Sequence, residues 1–237
     1  MILSLVLTLA CALDAETEDA LKVFARDYAS AAPAARAAAV TQLAKLQNTT
    51  VRTRLANLVV TDEEVVRIAA AEGLGAFTLD KGNVSALLTG ALPSNLKLFG
   101  AEAAILRALG KLGDESALGS IHSYFEFKDP KDPEFAVAKA AISASALLKS
   151  PDSMEPLMEL AKHLDKAQKG GSGKSSGKPG SLGLAGAGAS DPQVLRAKAL
   201  LPGIVKALQA ITGEKWTTLV EWTIWWDRHK STFKMQK

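Results

Sequence analysis

The chain has little of what catalysis, metal binding and covalent cross-linking use. It contains one cysteine, Cys11, and three histidines in 237 residues, and aromatic residues make up 5% of it. A single cysteine excludes an intramolecular disulfide, so packing alone must hold the fold. The histidines, His122, His163 and His229, are far apart and have no i, i+4 partner, a spacing that is not typical of a metal site. We expect no bound metal and no cofactor.

Sequence motifs of enzymes are also missing. Residues 173–175 match the end of a phosphate-binding loop, but Gln168 stands where that loop needs its first glycine, and no strand precedes it. The acidic group at residues 62–64 and the pair Asp129 and Asp132 lie at predicted helix starts, where carboxylates favour the helix dipole. We therefore predict that the protein is not an enzyme.

The chain is rich in alanine, and its hydrophobic residues together make up 48% of it. Alanine has the highest helix propensity, and its small side chain lets neighbouring helices approach closely. The sequence therefore predicts an all-α fold.

One segment of the chain recurs. RAAAVTQLAKL begins at Arg36, RIAAAEGLGAF begins at Arg67, 31 residues later, and AILRALGKLGD begins at Ala104. The first two copies align Leu43 with Leu74, and the period then lengthens to about 35 residues. An internal repeat of this length indicates helix pairs that stack to share one apolar core.

The copies resemble HEAT repeats, including the short HEAT-like class first associated with bilin lyases. The resemblance covers residues 30–165 and, more weakly, 191–213. The ending ITGEKWTTLVEWTIWWDRHKSTFK, from Ile211, is similar to the close of some exported bacterial HEAT-repeat proteins. The resemblance implies a right-handed α-solenoid of antiparallel helix pairs and a role as a protein-interaction scaffold that binds through its concave face. It transfers no catalytic residue.

The composition changes along the chain and predicts its organisation. Residues 16–165 read as helical repeats, and residues 166–190, rich in Gly, Ser and Lys, read as a disordered basic linker. Residues 191–237 read as C-terminal helices that Pro202 kinks or divides. The last helix is predicted at Lys215–Lys230, with all four tryptophans.

Two helix boundaries have specific signals. Thr61 with Glu64 three residues on is typical of a capping box, which predicts a helix over residues 62–77. Asp191 before a first-turn proline predicts a helix start, and Gly213 predicts a helix end in the left-handed conformation.

The N-terminus predicts export. Residues 1–13 are almost wholly apolar but shorter than the roughly 20 residues of a membrane span, so residues 1–15 are predicted as a signal peptide cleaved after Ala12. The protein would then be periplasmic or extracellular; a cytoplasmic protein with an N-terminal helix is the alternative. A lipid anchor at Cys11 is less favoured, because Thr8 stands where a lipobox has an aliphatic residue. No later segment reads as a transmembrane span.

Charge is distributed unevenly. Residues 1–165 hold 16 basic and 21 acidic residues, and residues 166–237 hold 12 basic and 4 acidic ones. The basic C-terminal third leaves open a polyanion partner, nucleic acid or acidic glycan, bound by the linker and last helix. We favour another protein as the partner over nucleic acid.

Two candidate sites follow from the repeat and the tryptophans. Arg36 and Arg67 occupy equivalent positions, so they either line one face and bind an acidic partner or form an internal ladder with Asp62 or Glu72, which we favour. The tryptophan-rich helix is favoured as a cap over the open end of the stack, with partner binding as the alternative. Its candidate binding residues are Trp222, Trp225 and Trp226.

Overall fold

The computed structural model describes residues 16–29, 32–171 and 191–233, and all regular secondary structure in these residues is helical. The all-α prediction is confirmed. The predicted signal peptide at residues 1–15, with Cys11, and residues 172–190 of the predicted linker lie outside the described residues. Within the described ranges, no helix is both long enough and apolar enough to cross a membrane.

Eleven α-helices lie in the described part of the chain, with short 3-10 turns before several of them. They are α1 (residues 16–28), α2 (Pro33–Leu43), α3 (Thr49–Thr61), α4 (Glu64–Leu74), α5 (Lys81–Ala91), α6 (Phe99–Leu112), α7 (Leu118–Ser123), α8 (Ala136–Leu148), α9 (Met154–Gly171), α10 (Pro192–Thr212) and α11 (Leu219–Phe233).

The chain divides into two compact units. The first unit holds the described residues up to Leu112, and the second holds those from Gly113 onward. The boundary between the two units falls inside residues 16–165, which the sequence predicts to be one series of helical repeats. In the first unit α2, α4 and α6 pack side by side as one layer, while α3 and α5 pack on each other and on that layer.

The α2–α4–α6 layer is tight because small residues face one another across it. A Cβ atom added to Gly73 would lie 2.6 Å from the Cβ of Ala44, and one added to Gly75 would lie 2.7 Å from the Cβ of Ala108. No side chain fits at either position without movement of a neighbouring helix. The glycines therefore set the spacing of this layer.

The 31-residue repeat is also a repeat of backbone conformation. Ala44 ends α2 at φ −63° and ψ −12°, and Gly75 ends α4 at φ −65° and ψ −11°. The N–H of Ala44 donates to the carbonyl of Val40, and the N–H of Gly75 donates to the carbonyl of Ala71, both at 2.9 Å. Aligned residues of the two copies thus terminate their helices in the same way.

In the second unit α10 packs against both α8 and α9, and α11 packs against α9. Asp191 caps α10 through the backbone N–H of Gln193 at 2.8 Å, and Gly213 ends it at φ 79°, as predicted. Of the two predicted effects of Pro202, division of the helix is wrong, because α10 is one helix of 21 residues, and a kink stays a prediction. Leu200 and Ile204 beside the proline are fully buried, and we attribute the continuity to this packing.

The last helix begins later than predicted. Thr218 and Glu221 form a capping box, in which the N–H of Glu221 donates to the Thr218 hydroxyl and the Glu221 carboxylate accepts from the Thr218 N–H. The helix α11 therefore starts at Leu219, and Trp216 lies before it, so three tryptophans rather than four belong to the helix.

Two other boundaries also differ. Thr61 is the last residue of α3 and its hydroxyl donates to the carbonyl of Asn57, so the predicted capping box at the start of α4 is wrong. The helix α9 extends to Gly171, so the first six residues of the segment 166–190 are helical rather than linker. Lys169 pairs there with Asp165 at 2.7 Å, one turn earlier, which supports the helical conformation.

Candidate functional site

Arg36 and Arg67 meet at one residue, Asp62. An Nη atom of Arg36 donates to the carboxylates of Asp62 and Glu63, both at 2.9 Å. The Nε of Arg67 donates to the backbone carbonyl of Asp62 at 2.5 Å, and one of its Nη atoms donates to the carbonyl of Ser94 at 2.9 Å. Arg36, Asp62 and Arg67 thus form one arginine network across successive turns of the first unit.

The arginine network continues on both sides. The hydroxyl of Tyr28 donates to the second carboxylate oxygen of Asp62. The fully buried Asn95 accepts from Arg67 at 3.2 Å and donates to the carbonyl of Val59 at 3.1 Å. The network therefore holds helix ends together, and binding of an acidic partner by Arg36 and Arg67 stays a prediction. Glu72 is not part of it.

The three tryptophans of α11 have different environments. Trp222 and Trp226 are buried, and the indole N–H of Trp222 donates to the carbonyl of Trp216 at 3.0 Å. Trp225 is half-buried, and its ring stacks on that of His229 with centroids 4.7 Å apart. Two of the predicted site residues are thus core residues of the second unit, and Trp225 is at its edge.

Two open grooves flank α3 in the first unit. The α1–α3 groove has a volume of about 570 Å³, and the α3–α5 groove has a volume of about 690 Å³. The α1–α3 groove has an apolar wall on α1, formed by Leu21, Phe24 and Ala25, and a polar wall on α3 that includes Thr50, Arg54 and Asn57. The α3–α5 groove is the more polar of the two, because Arg52, Thr53 and Asn83 line it together with apolar residues that include Ala56, Val60 and Leu87. Thr53 lines both grooves.

The polar wall of the α1–α3 groove offers hydrogen-bond donors. The guanidinium of Arg54 lies 5.4 Å from the ring centroid of Phe24, and no carboxylate in the described part of the chain forms an ion pair with it. Asn57 also lines this groove, and its side-chain amide carries two N–H donors. Neither groove could be predicted from the sequence, because each forms between helices that are not adjacent along the chain.

A second apolar surface lies on α11. Two hollows of about 530 Å³ each adjoin Leu219, and both include Asp165 of α9. Val220 and Ile224, on the same side of α11, are 63% and 49% exposed. The capping box of Thr218 and Glu221 stabilises the first turn of α11, which carries Leu219 and Val220.

His122 lies beside a buried serine in the second unit. Its Nε2 atom lies 2.9 Å from the hydroxyl of Ser153, which is fully buried. Burial lowers the pKa of His122, and the nearby carboxylate of Asp152 opposes that shift. The described ranges contain no group of three or more side chains able to hold a metal ion.

In comparisons with known proteins, no family model matches the chain, and no curated protein matches it.

Proposed function

We propose that the protein is a non-enzymatic scaffold built on HEAT-like repeats, and that it binds another protein through its open helical surfaces. The observation that carries this proposal is the pair of open grooves beside α3, which place apolar and donor groups next to each other on an accessible face. Such a mixed surface is typical of protein recognition, in which apolar anchors give affinity and polar groups give orientation.

The proposed architecture is a right-handed α-solenoid. Support comes from the repeated helix ends at Ala44 and Gly75 and from the order in which α2, α4 and α6 pack. A layer whose helices approach closely lies on the inside of a curved stack, and a layer with grooves between its helices lies outside. On this proposal α2, α4 and α6 form the concave face of the first unit, and α1, α3 and α5 form its convex face.

The exposed side chains of the proposed concave face are both apolar and charged. They include Val65 on α4, which is 42% exposed, and Glu72, which lies 3.9 Å from Arg107 on α6. We place protein binding in the first unit on the proposed convex face, because the two grooves beside α3 lie there.

The scaffold proposal is tested with the full chain as bait. Proteins that it captures from a cell-envelope extract are identified, purified and titrated against it, and we expect one to bind saturably with a Kd below about 10 μM. A purified chain that turns over a substrate, with the activity abolished by one substitution, would contradict the proposal. We further propose that the protein is exported. Mass spectrometry of the protein from the envelope fraction tests this, and the mature chain should begin directly after Ala12.

Polyanion binding is a second candidate function. The observation that favours it is the half-buried Trp225 stacked on His229, with the exposed Arg228 adjacent in sequence on α11. Aromatic rings stack on bases or sugars, and basic side chains contact phosphates or sulfates. Affinity for heparin or a single-stranded oligonucleotide should then fall steeply between about 50 and 200 mM salt, whereas protein binding through apolar grooves should change little.

A further inference from the structure

The α3 helix carries no acidic residue, although it carries two arginines. Arg52 forms an ion pair with Asp80, which lies just before α5. Arg54 forms no ion pair with a described carboxylate, and its guanidinium lies 5.4 Å from the ring centroid of Phe24 and 6.0 Å from that of Tyr28. Among the described residues, no Asp or Glu lines either groove beside α3. The carboxylate of Asp62 lies close by, but Tyr28 and Arg36 bond to it. An acidic group on a partner that enters the α1–α3 groove would therefore meet Arg54 rather than a carboxylate in the groove wall.

The donors on α3 are also correctly spaced for one acceptor group. Arg54 and Asn57 are separated by three residues, so their side chains lie on the same face of the helix. Both side chains line the α1–α3 groove, and both carry N–H donors. A carboxylate has two acceptor oxygens and can take bonds from both.

The separation of the two grooves indicates the secondary structure of the partner. They lie on opposite sides of α3, and neighbouring packed helices are about 8–10 Å apart. Two side chains at i and i+7 of an α-helix point the same way and are separated by about 10 Å along its axis. In an extended strand, residues on one face recur every 6–7 Å, which fits this separation less well.

We propose that the face formed by α1, α3 and α5 binds an acidic amphipathic helix of another protein. One of its carboxylates bonds to Arg54 and Asn57, and two apolar side chains one heptad apart enter the α1–α3 and α3–α5 grooves. The inference rests on the proposed scaffold function and adds to it the surface and the chemistry of the partner. A small carboxylate would fill one groove only, whereas a helix fills both.

The test uses fluorescent helical peptides and the full chain. The probe is an alanine-based peptide of fifteen residues with leucine at its fourth and eleventh positions and glutamate at its eighth, and the matched peptides carry glutamine or lysine in place of glutamate. Binding is followed by fluorescence anisotropy. We expect the glutamate peptide to bind at least about fivefold more tightly than the glutamine peptide.

Charge reversal in the protein should reverse this preference. Arg54→Glu should weaken binding of the glutamate peptide about tenfold and make the lysine peptide the tighter ligand. Arg228→Glu, the same charge change on α11, should leave both affinities within about twofold. If Arg228→Glu has the larger effect, the peptide binds at the aromatic end and the inference is overturned.

Apolar contacts are tested in the other groove. Leu87 is 41% exposed on α5 and lines the α3–α5 groove, and Leu147 is 50% exposed on α8 and lies outside both grooves. Leu87→Asn should weaken binding about tenfold, and Leu147→Asn should not, with unfolding midpoints showing that both variants fold. An unchanged affinity in Leu87→Asn, or no binding of any peptide below 1 mM, would refute the inference.

Two further results separate this inference from the scaffold proposal. Displacement of the peptide by an equal concentration of octanoate would identify a small-ligand site and overturn the helix assignment. A protein captured by the full chain and bound equally well by Arg54→Glu and Leu87→Asn would support the scaffold proposal but contradict the assigned surface.

Discussion

The Oε1 atom of Gln47 accepts hydrogen bonds from both the backbone N–H and the hydroxyl of Thr78, each 2.9 Å long, and Thr78 lies 31 residues further along the chain. Asn48 makes a related contact in the other direction, because its amide donates to the hydroxyl of Thr17, 31 residues earlier, at 2.9 Å. Residues separated by one repeat period therefore bond to each other. In such a stack stability is close to a sum of contacts between neighbours, so a change at one junction has a local cause that can be measured.

The first prediction concerns the junction between α4 and α6. In Gly75→Ala the new Cβ would lie 2.7 Å from the Cβ and 2.8 Å from the Cα of Ala108, so α4 and α6 must separate. We expect the free energy of unfolding to fall by about 1–3 kcal/mol in urea titrations followed by circular dichroism.

The matched control is Gly90→Ala on α5, where an added Cβ has no heavy atom within 4 Å. This change should raise the free energy of unfolding by about 0.5–1 kcal/mol, because alanine has the higher helix propensity and restricts the unfolded chain. Equal effects of the two substitutions would show that the α4–α6 contact is not close.

The second prediction concerns the arginine network. The side chain of Arg36 is 17% exposed and that of Asp62 is 10% exposed, so the pair is largely shielded from solvent. Asp62→Ala should lower the free energy of unfolding by about 1–3 kcal/mol, because it removes one of the two carboxylates that accept from Arg36 and the acceptor of the Tyr28 hydroxyl. A double-mutant cycle with Arg36→Ala should give a coupling energy of about 1–2 kcal/mol.

A second cycle provides the comparison. Arg26 and Asp27 lie 2.8 Å apart, but their side chains are 74% and 46% exposed. Their coupling energy should be much smaller than that of Arg36 and Asp62, because solvent screens exposed pairs. A coupling energy for Arg36 and Asp62 as small as this would mean that the network does not hold the repeats together.

Much of the fold could be predicted from the sequence because its signals are local. The helical class follows from composition, and the start of α10 follows from two adjacent residues, the capping Asp191 and the first-turn Pro192. The predictions that failed depend on more distant residues. Propensity alone predicts that Pro202 kinks or divides α10, but the helix is undivided, and we attribute this to buried residues near the proline. Glu64 accepts from the N–H of Gly100 at 2.8 Å rather than from the start of its own helix.

The candidate site was less predictable. Spacing alone suggested that Arg36 and Arg67 are equivalent, but it could not place Ser94 beside Arg67. The grooves beside α3 depend on the distances from α3 to α1 and α5, which no local pattern encodes. The one available signal was the composition of α3 itself, in which Arg54 and several threonines occur without any acidic residue.

The third prediction concerns the pH dependence of stability. Burial lowers the pKa of His122 below its ordinary value of 6.5, although Asp152 opposes the shift. The unfolded state then binds a proton at a higher pH than the folded state, so stability falls as the pH falls through 6.5 toward the lower pKa of the folded state, with a slope of at most about 1.4 kcal/mol per pH unit.

His122→Gln should remove this part of the pH dependence, because glutamine does not titrate and can still bond to Ser153. The measurement is the free energy of unfolding between pH 7.5 and 5, compared with that of His229→Gln, which changes an exposed residue of α11. A pH profile of His122→Gln that matches the unmodified chain would contradict the prediction.

The last prediction separates the two roles considered for the tryptophan helix. Trp222 is fully buried and its indole is hydrogen-bonded, so Trp222→Ala should lower the free energy of unfolding by about 3–5 kcal/mol. Trp225 is half-buried, so Trp225→Ala should cost only about 1 kcal/mol. Trp216→Ala keeps the carbonyl that accepts from Trp222 and should change stability by about 0.5 kcal/mol or less.

If Trp225→Ala is as costly as Trp222→Ala, then α11 is a cap throughout. If the predicted order holds, Trp225 is the one tryptophan of the helix whose loss can weaken binding without unfolding the second unit, and binding assays on α11 should begin there.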